Sequence, residues 1–237
     1  MRKVLAVALA LLRGAGACGV MLTLASNMQQ LGIAGTSAGK AGFITAMYIV
    51  IVPLFGLFCG RRPSALLWGS VSIAVAGLYF LCMTEGFAIS PGDGAVLLCA
   101  VLFSGHILTI DHFSRNLDGI QMSCIQFLVV ALLSGVGMVL FERPSLAAVA
   151  ACAGPVLYAG LLSSAVGYTL QILAQKGANP TVVSLLLSLE SVFAALGGAV
   201  LLGETMSRRE ITGCLLMLAA VTLAQLPAAA PGRQKTP

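Results

Sequence analysis

The sequence predicts an all-α membrane protein of about eight transmembrane helices, and three observations carry that prediction. Hydrophobic residues make up 59% of the chain and charged residues 9%, with a mean hydropathy of +1.01; a water-soluble domain needs far more polar surface than this. The few charges fall between apolar runs of roughly 20 residues, the length that crosses a bilayer core. The breaks between runs are polar or rich in Gly and Pro: GRRPS, SPGDG, FERPS, KGANP and GETMSRRE. They leave no room for a separate soluble domain.

In chain order the predicted spans are residues 14–33, 38–59, 65–85, 94–110, 122–141, 155–174, 180–202 and 211–226. The opening MRKVLAVALALLRGAGAC has the basic start, apolar stretch and small residues of a signal peptide, but Arg13 interrupts it and a spanning helix follows without a break. The second span opens on SAGKAGF, whose Ala38, Gly39, Ala41 and Gly42 permit close helix contact. Pro53 should kink that span. Joined by short loops, the helices pack as antiparallel neighbours.

A net charge of +5 marks no nucleic-acid surface here, because the Lys and Arg residues stand singly or in pairs at span ends, as topology signals do. With the N-terminus in the cytoplasm, Arg2, Lys3, Arg13, Arg61, Arg62, Arg115, Lys176, Arg233 and Lys235 lie inside and Lys40, Arg143, Arg208 and Arg209 outside, nine against four. That balance puts both termini in the cytoplasm, with Arg208 and Arg209 as its exception. The seven cysteines are odd in number, lie mostly in apolar runs and form no CxxC. They read as reduced packing residues, so neither a disulfide framework nor a metal site is expected.

The chain also matches itself. LTLASNMQQLGIAGTSAGKAGFITAMYIVIVPLFGLFCGRRPSALLWG runs parallel in pattern to YTLQILAQKGANPTVVSLLLSLESVFAALGGAVLLGETMSRREITG, at an offset of about 143 to 145 residues. Gln30-Leu31-Gly32 matches Gln175-Lys176-Gly177, Gly60 matches Gly203, Ser64 matches Ser207, Gly69 matches Gly213, and Tyr48 takes the position of Glu190. An odd number of helices separates the copies, so they sit inverted in the membrane, a recurring transporter device. Residues 91–228 then hold a complete five-helix copy, residues 1–90 an incomplete one of three helices, and 229–237 a cytoplasmic tail. Two helices are expected to be missing ahead of the first copy.

Three segments, QQLGIAGTSAGKAGFITAMYIVIVP from Gln29, LSLESVFAALGGAVLLGE from Leu187 and RREITGCLLMLAAV from Arg208, resemble the EamA-like transporters of the drug/metabolite transporter superfamily. They look like the fourth and ninth helices of that family with their flanks, and the resemblance covers nearly the whole chain. It implies a ten-helix fold of two inverted five-helix halves, entered here at the third helix. It also implies export or uptake of small metabolites or amphipathic compounds without ATP, export foremost; the membrane is expected to be a plasma membrane such as the bacterial inner membrane. Two departures stand out: Ser191 replaces the family's usual Pro after Leu189-Glu190, and the absent first helices would line part of the family's central cavity.

A charged side chain inside a span costs about 2.5–3.5 kcal/mol on insertion scales and needs a partner, an aqueous cavity or a function. Glu190 is the deepest, with Ser184, Ser188 and Ser191 nearby. It either takes a cationic group or a proton, or locks two helices as a hydrogen-bonded structural residue. Lys40 either snorkels outward or faces inward to hold an anionic group; Tyr48, two turns on, falls near the same face. Thr23, Asn27 and Gln30, and likewise Tyr168, Gln171 and Gln175, each lie along one helix face that in lipid should turn inward, toward a pathway or another helix. His106, with Gln126 in the next span, is a proton relay or a packing residue. Asp111 and Arg115 are spaced for an ion pair at the membrane surface.

These residues favour a secondary transporter of a small-molecule substrate, with Glu190 and the glutamine and tyrosine faces as its site. An intramembrane enzyme is disfavoured, since the chain has no HExxH, no pair of membrane Asp residues and only His106 and His112; spacing alone leaves a Ser–His pair at His106 open. A GxxxxGK[ST] loop is absent as well, which argues against ATP-driven pumping. The alternative is a truncated, non-transporting subunit acting through oligomerisation, with a homodimer forming through small-residue faces such as Ala194 and Gly198. Membrane lipid is the other expected partner, and no nucleic acid, metal or cofactor is expected.

Overall fold

Backbone N–H and C=O groups in lipid must be satisfied within the chain, and in the computed structural model every regular element among the described residues is helical. The structure describes residues 2–83, 89–142, 144–201, 203 and 205–226. Outside them lie Arg143, Arg233, Lys235 and the tail 229–237, and the predicted span ends at 85 and 202.

The first helix, α1 (Arg2–Ile33), runs through Arg13, so the opening that resembles a signal peptide continues into the first span. The second span is split into α2 (Ala38–Thr45) and α3 (Tyr48–Phe58). Then come α4 (Ala65–Cys82), α5 (Asp93–Ser114) and α6 (Gly119–Gly137), the last running into a π-helical turn over Met138–Glu142. Short helices α7 (Leu146–Ala151) and α8 (Ala153–Leu157) lead into a π-helical stretch, Tyr158–Tyr168, which α9 (Thr169–Gln175) completes. The seventh span is split like the second, into α10 (Pro180–Leu187) and α11 (Glu190–Leu201), and α12 (Arg208–Gln225) follows.

Among the described residues, seven stretches are long and apolar enough to cross a membrane. The predicted eighth span forms as α12 but falls short of them. It has 18 residues, and Arg208, Arg209 and Glu210 fill its first turn, so its apolar part begins only at Ile211.

The chain forms two compact units, Met1–Gln30 with Val101–Pro180, and Leu31–Ala100 with Thr181–Pro237. In the first, Ala15 and Cys18 of α1 share a core with Ile110, Leu117, Met122 and Ile172. Small residues permit this: Gly14 lies against the Phe113 ring and Gly19 against Val129 and the Gln126 carbonyl. Leu132, Val136, Leu157 and Leu161 are exposed, the surface that lipid should cover.

The second unit carries the self-match into three dimensions. Gly60 and Gly203 both take left-handed backbone, with φ of 76° and 70°. Ser64 caps α4 by accepting from the Leu67 N–H, and Ser207 caps α12 in a capping box with Glu210. These two matched helices pack on each other: Gly77 meets Met217 while Leu81 meets Gly213. Residue numbers rise along one helix as they fall along the other, so the helices are antiparallel, as inverted copies require. The predicted match of Gly69 with Gly213 does not extend to packing, since Gly69 faces open space and Gly77 makes the contact. Arg209, one of the two exceptions to the charge balance, has a local anchor. Its guanidinium lies 5.2 Å from the Tyr79 ring centroid and donates to the Tyr79 carbonyl at 3.4 Å.

Candidate functional site

Two helix breaks in the second unit fall at matched positions. At the first, the Met47 N–H bonds back only three residues, to the Ile44 carbonyl at 3.1 Å; at the other, the Leu189 N–H does the same to Leu186 at 3.1 Å. Position 47 corresponds to position 189 when Tyr48 is set against Glu190, an offset of 142 residues, one short of the 143 to 145 of the other matches. Neither break is made by proline. Pro53 lies inside α3, so the expected kink is displaced toward the start of the span, over Ala46 and Met47. In the seventh span, where Ser191 replaces the family's usual Pro, the chain breaks all the same. There the Ser184 and Ser188 hydroxyls bond to the carbonyls of Thr181 and Leu185, at 2.9 and 2.7 Å, competing for helical acceptors.

Each break is followed by a polar side chain that opens the next half-helix, Tyr48 on α3 and Glu190 on α11. Tyr48 is buried. Glu190 is exposed, and its carboxylate forms no hydrogen bond or ion pair among the described residues. The reading in which Glu190 locks two helices together therefore finds no partner, since Ser184 and Ser188 are engaged with α10.

Lys40 faces inward, and the anionic group it holds is the protein's own: its amine is 2.7 Å from Asp93 Oδ2 and donates to Ser90 Oγ at 2.7 Å. Asp93 Oδ1 accepts from Thr36 Oγ1 at 2.8 Å and Oδ2 from the Ser90 N–H at 2.8 Å. A cation in the first turn of α2 opposes the helix dipole, while a carboxylate in the first turn of α5 is favoured by it, so the pair compensates the one and keeps the other. Beside it lies a cavity of 380 Å³ walled by Phe43, Ile44, Met47, Met83, Ile89 and Leu97. Sequence reasoning missed Asp93. The signal was available: Lys40 and Asp93 stand at the starts of the second and fourth spans, and alternating antiparallel helices put both starts at the same membrane face.

In the first unit a polar cluster is buried on α5, α6 and α9. His106 Nε2 lies 2.9 Å from Gln126 Oε1, and both side chains are fully buried. The Tyr168 ring stands edge-on to His106, with centroids 5.9 Å apart. Nearby, Ser123 and Thr169 share a hydrogen bond of 2.6 Å, and the Gln175 amide donates to the Ile107 carbonyl. His106 Nδ1, Gln126 Nε2 and Gln175 Oε1 remain unpaired among the described residues. Gln171 is half-buried.

The other predicted face turns inward only in part. Thr23 is buried and donates to the Gly19 carbonyl at 2.8 Å, but Asn27 and Gln30 are exposed. Asn27 spends its amide on its own helix, donating to the Thr23 carbonyl at 2.8 Å, so it needs no partner helix. Asp111 and Arg115 form the expected pair at 3.0 Å, though Asp111 is buried and only Arg115 reaches the surface.

Residues 90–225 match the EamA-like transporter family. An uncharacterized transporter of Archaeoglobus fulgidus is 30% identical over 218 residues, which are 88% of this chain and 67% of that protein. A solved crystal structure, 21% identical in sequence, superposes with a TM-score of 0.75 over 90% of this chain and 75% of that one. That likeness is one of fold.

Proposed function

The chain belongs to the EamA-like transporter family and is a multi-pass membrane transporter, and from that premise we propose that it is a secondary transporter that exports small metabolites or amphipathic compounds without ATP. In this reading it sits in the plasma membrane with both termini in the cytoplasm, and inverted repeats alternate access to the substrate.

One observation carries the proposal: the spans break at matched positions, and the second break opens on an unpaired carboxylate. Discontinuous helices are how transporters bring half-helix ends to substrates and coupling ions near the bilayer midplane, and an intramembrane carboxylate without a partner is costly unless it is used. Glu190 takes the cationic group of a substrate or a coupling proton, and Tyr48 is its counterpart at the other break. Within the first unit His106, Gln126, Tyr168, Gln171 and Gln175 act as pathway-lining groups. The unpaired atoms of the buried cluster support that assignment, since buried polar groups ordinarily have partners.

The test is flux in proteoliposomes holding the purified chain, with a panel of cationic, zwitterionic and neutral metabolites and an imposed pH gradient. Glu190→Gln should cut flux at least about tenfold and flatten its pH dependence, while Glu190→Asp keeps part of both. Unchanged flux and pH dependence in Glu190→Gln would remove the carboxylate from the mechanism. A well-folded, monodisperse protein that moves no compound in the panel overturns the transport reading.

A further inference from the structure

We propose that the cavity beside Lys40 and Asp93 in the second unit is a binding site for a small, mainly apolar molecule of zero net charge. At 380 Å³ the cavity is in the range of small-molecule sites. Its walls are aromatic and aliphatic, and Met47 and Met83 are side chains that adapt to differently shaped ligands. The selectivity comes from the charges. Both Asp93 oxygens are occupied, one by Thr36 and the other by Lys40 and the Ser90 N–H, and the pair's side chains are only 12% and 15% exposed.

A lone cation or anion could engage this site only by pulling the pair apart and leaving one charge buried without a partner, which is strongly unfavourable. A neutral molecule leaves the pair intact and gains by removing apolar surface from water. The polar rim therefore acts as a charge filter over an apolar hole. Met47 belongs to the break between α2 and α3, so an occupant would rest against the point where that span is interrupted. The proposal concerns binding alone and stands apart from the transport reading.

Photolabelling of the full chain in lipid nanodiscs tests it. The probe is a neutral tolyl diazirine, compared with its benzylammonium and benzoate analogues and with a phospholipid carrying the diazirine on an acyl chain. Adducts are mapped by mass spectrometry and normalised to lipid-facing Leu132, which corrects for partitioning. The neutral probe should label Met47, Met83 or Leu97 saturably, with the charged analogues at least tenfold weaker. Leu97→Trp, which fills the cavity, should abolish the saturable adducts. Asp93→Asn should raise labelling by benzoate and Lys40→Met labelling by benzylammonium. Labelling that never saturates, that survives Leu97→Trp, that is as strong with either charged analogue, or that saturates only with the phospholipid overturns the proposal.

Discussion

Removing the charge of Asp93 should cost more than any surface ion pair would predict. The Lys40 amine is 2.7 Å from Asp93 Oδ2, with side chains 12% and 15% exposed. Breaking a fully buried pair costs about 3–5 kcal/mol because the surviving charge is stranded, whereas exposed pairs are worth about 1 kcal/mol or less. With part of both side chains out of solvent, Asp93→Asn falls between these two cases, and its cost is moderated because Ser90 Oγ still accepts from the amine. The midpoint of thermal unfolding should therefore fall by more than the scatter of replicate melts. Lys40→Met should behave similarly, stranding the carboxylate instead. The double variant Lys40→Met with Asp93→Asn should lose less than the two single changes together, since neither charge is left stranded. The assay is thermal unfolding in detergent, followed by circular dichroism and arranged as a double-mutant cycle. Single changes that leave the midpoint unmoved, or that simply add in the double variant, would refute the coupling and its place in the fold.

Three further outcomes are expected from the same melting assay. A Cβ on Gly213 would lie 2.8 Å from the Gly77 carbonyl oxygen and the Leu81 nitrogen, so Gly213→Ala should destabilise by about 1–3 kcal/mol. Gly69→Ala, with open space at its Cβ, should instead gain up to about 1 kcal/mol; equal effects would refute the antiparallel contact. His106→Leu strands the buried Gln126 amide and should cost about 1–3 kcal/mol, most of it recovered by adding Gln126→Met. If the double variant is worse than the single, the two residues do not act as a pair. At Glu210, ahead of the apolar part of α12, the Ser207 hydroxyl and then its N–H hold the carboxyl below the usual carboxylate range. A lowered folded pKa means a contribution present above the ordinary carboxylate pKa and lost as pH falls through the lowered one. Glu210→Ala should therefore be slightly less stable than the parent at neutral pH, by under about 1 kcal/mol for so exposed a group, and equal to it in acid; a gap that persists in acid would refute the assignment.

The spans were legible because lipid imposes one rule on every segment: apolar runs of a fixed length, punctuated by charge. The self-match foretold Gly60 with Gly203 and Ser64 with Ser207, since turn and cap chemistry is read from single residues. It did not foretell Gly77, because which helical glycine is a contact depends on rotation and crossing rather than on alignment. Asn27 shows another limit. Spacing puts a polar group on a face, but a short amide can satisfy itself on the preceding turn and leave that face turned outward. The buried pairing of His106 with Gln126 was suggested by adjacent spans, while the partner of Lys40 lay in a loop motif read only as punctuation.

The two breaks show what a repeat fixes and what it leaves free. Proline is the residue usually held responsible for interrupting a spanning helix, yet Pro53 lies within an unbroken half-helix and the seventh span breaks with no proline at the break. What the two sites share is a carbonyl partner three residues back in place of four, at Met47 and at Leu189. A shared backbone interruption with unlike sequences points to packing around the matched positions as its cause. The side chains that follow are free to differ, and they do: a buried phenol at Tyr48 and an exposed carboxylate at Glu190. If the break is architectural and its first residue functional, exchanging the two in Tyr48→Glu with Glu190→Tyr should leave helix content unchanged while altering flux. A loss of helical signal on that exchange would mean instead that the side chains themselves hold the breaks open.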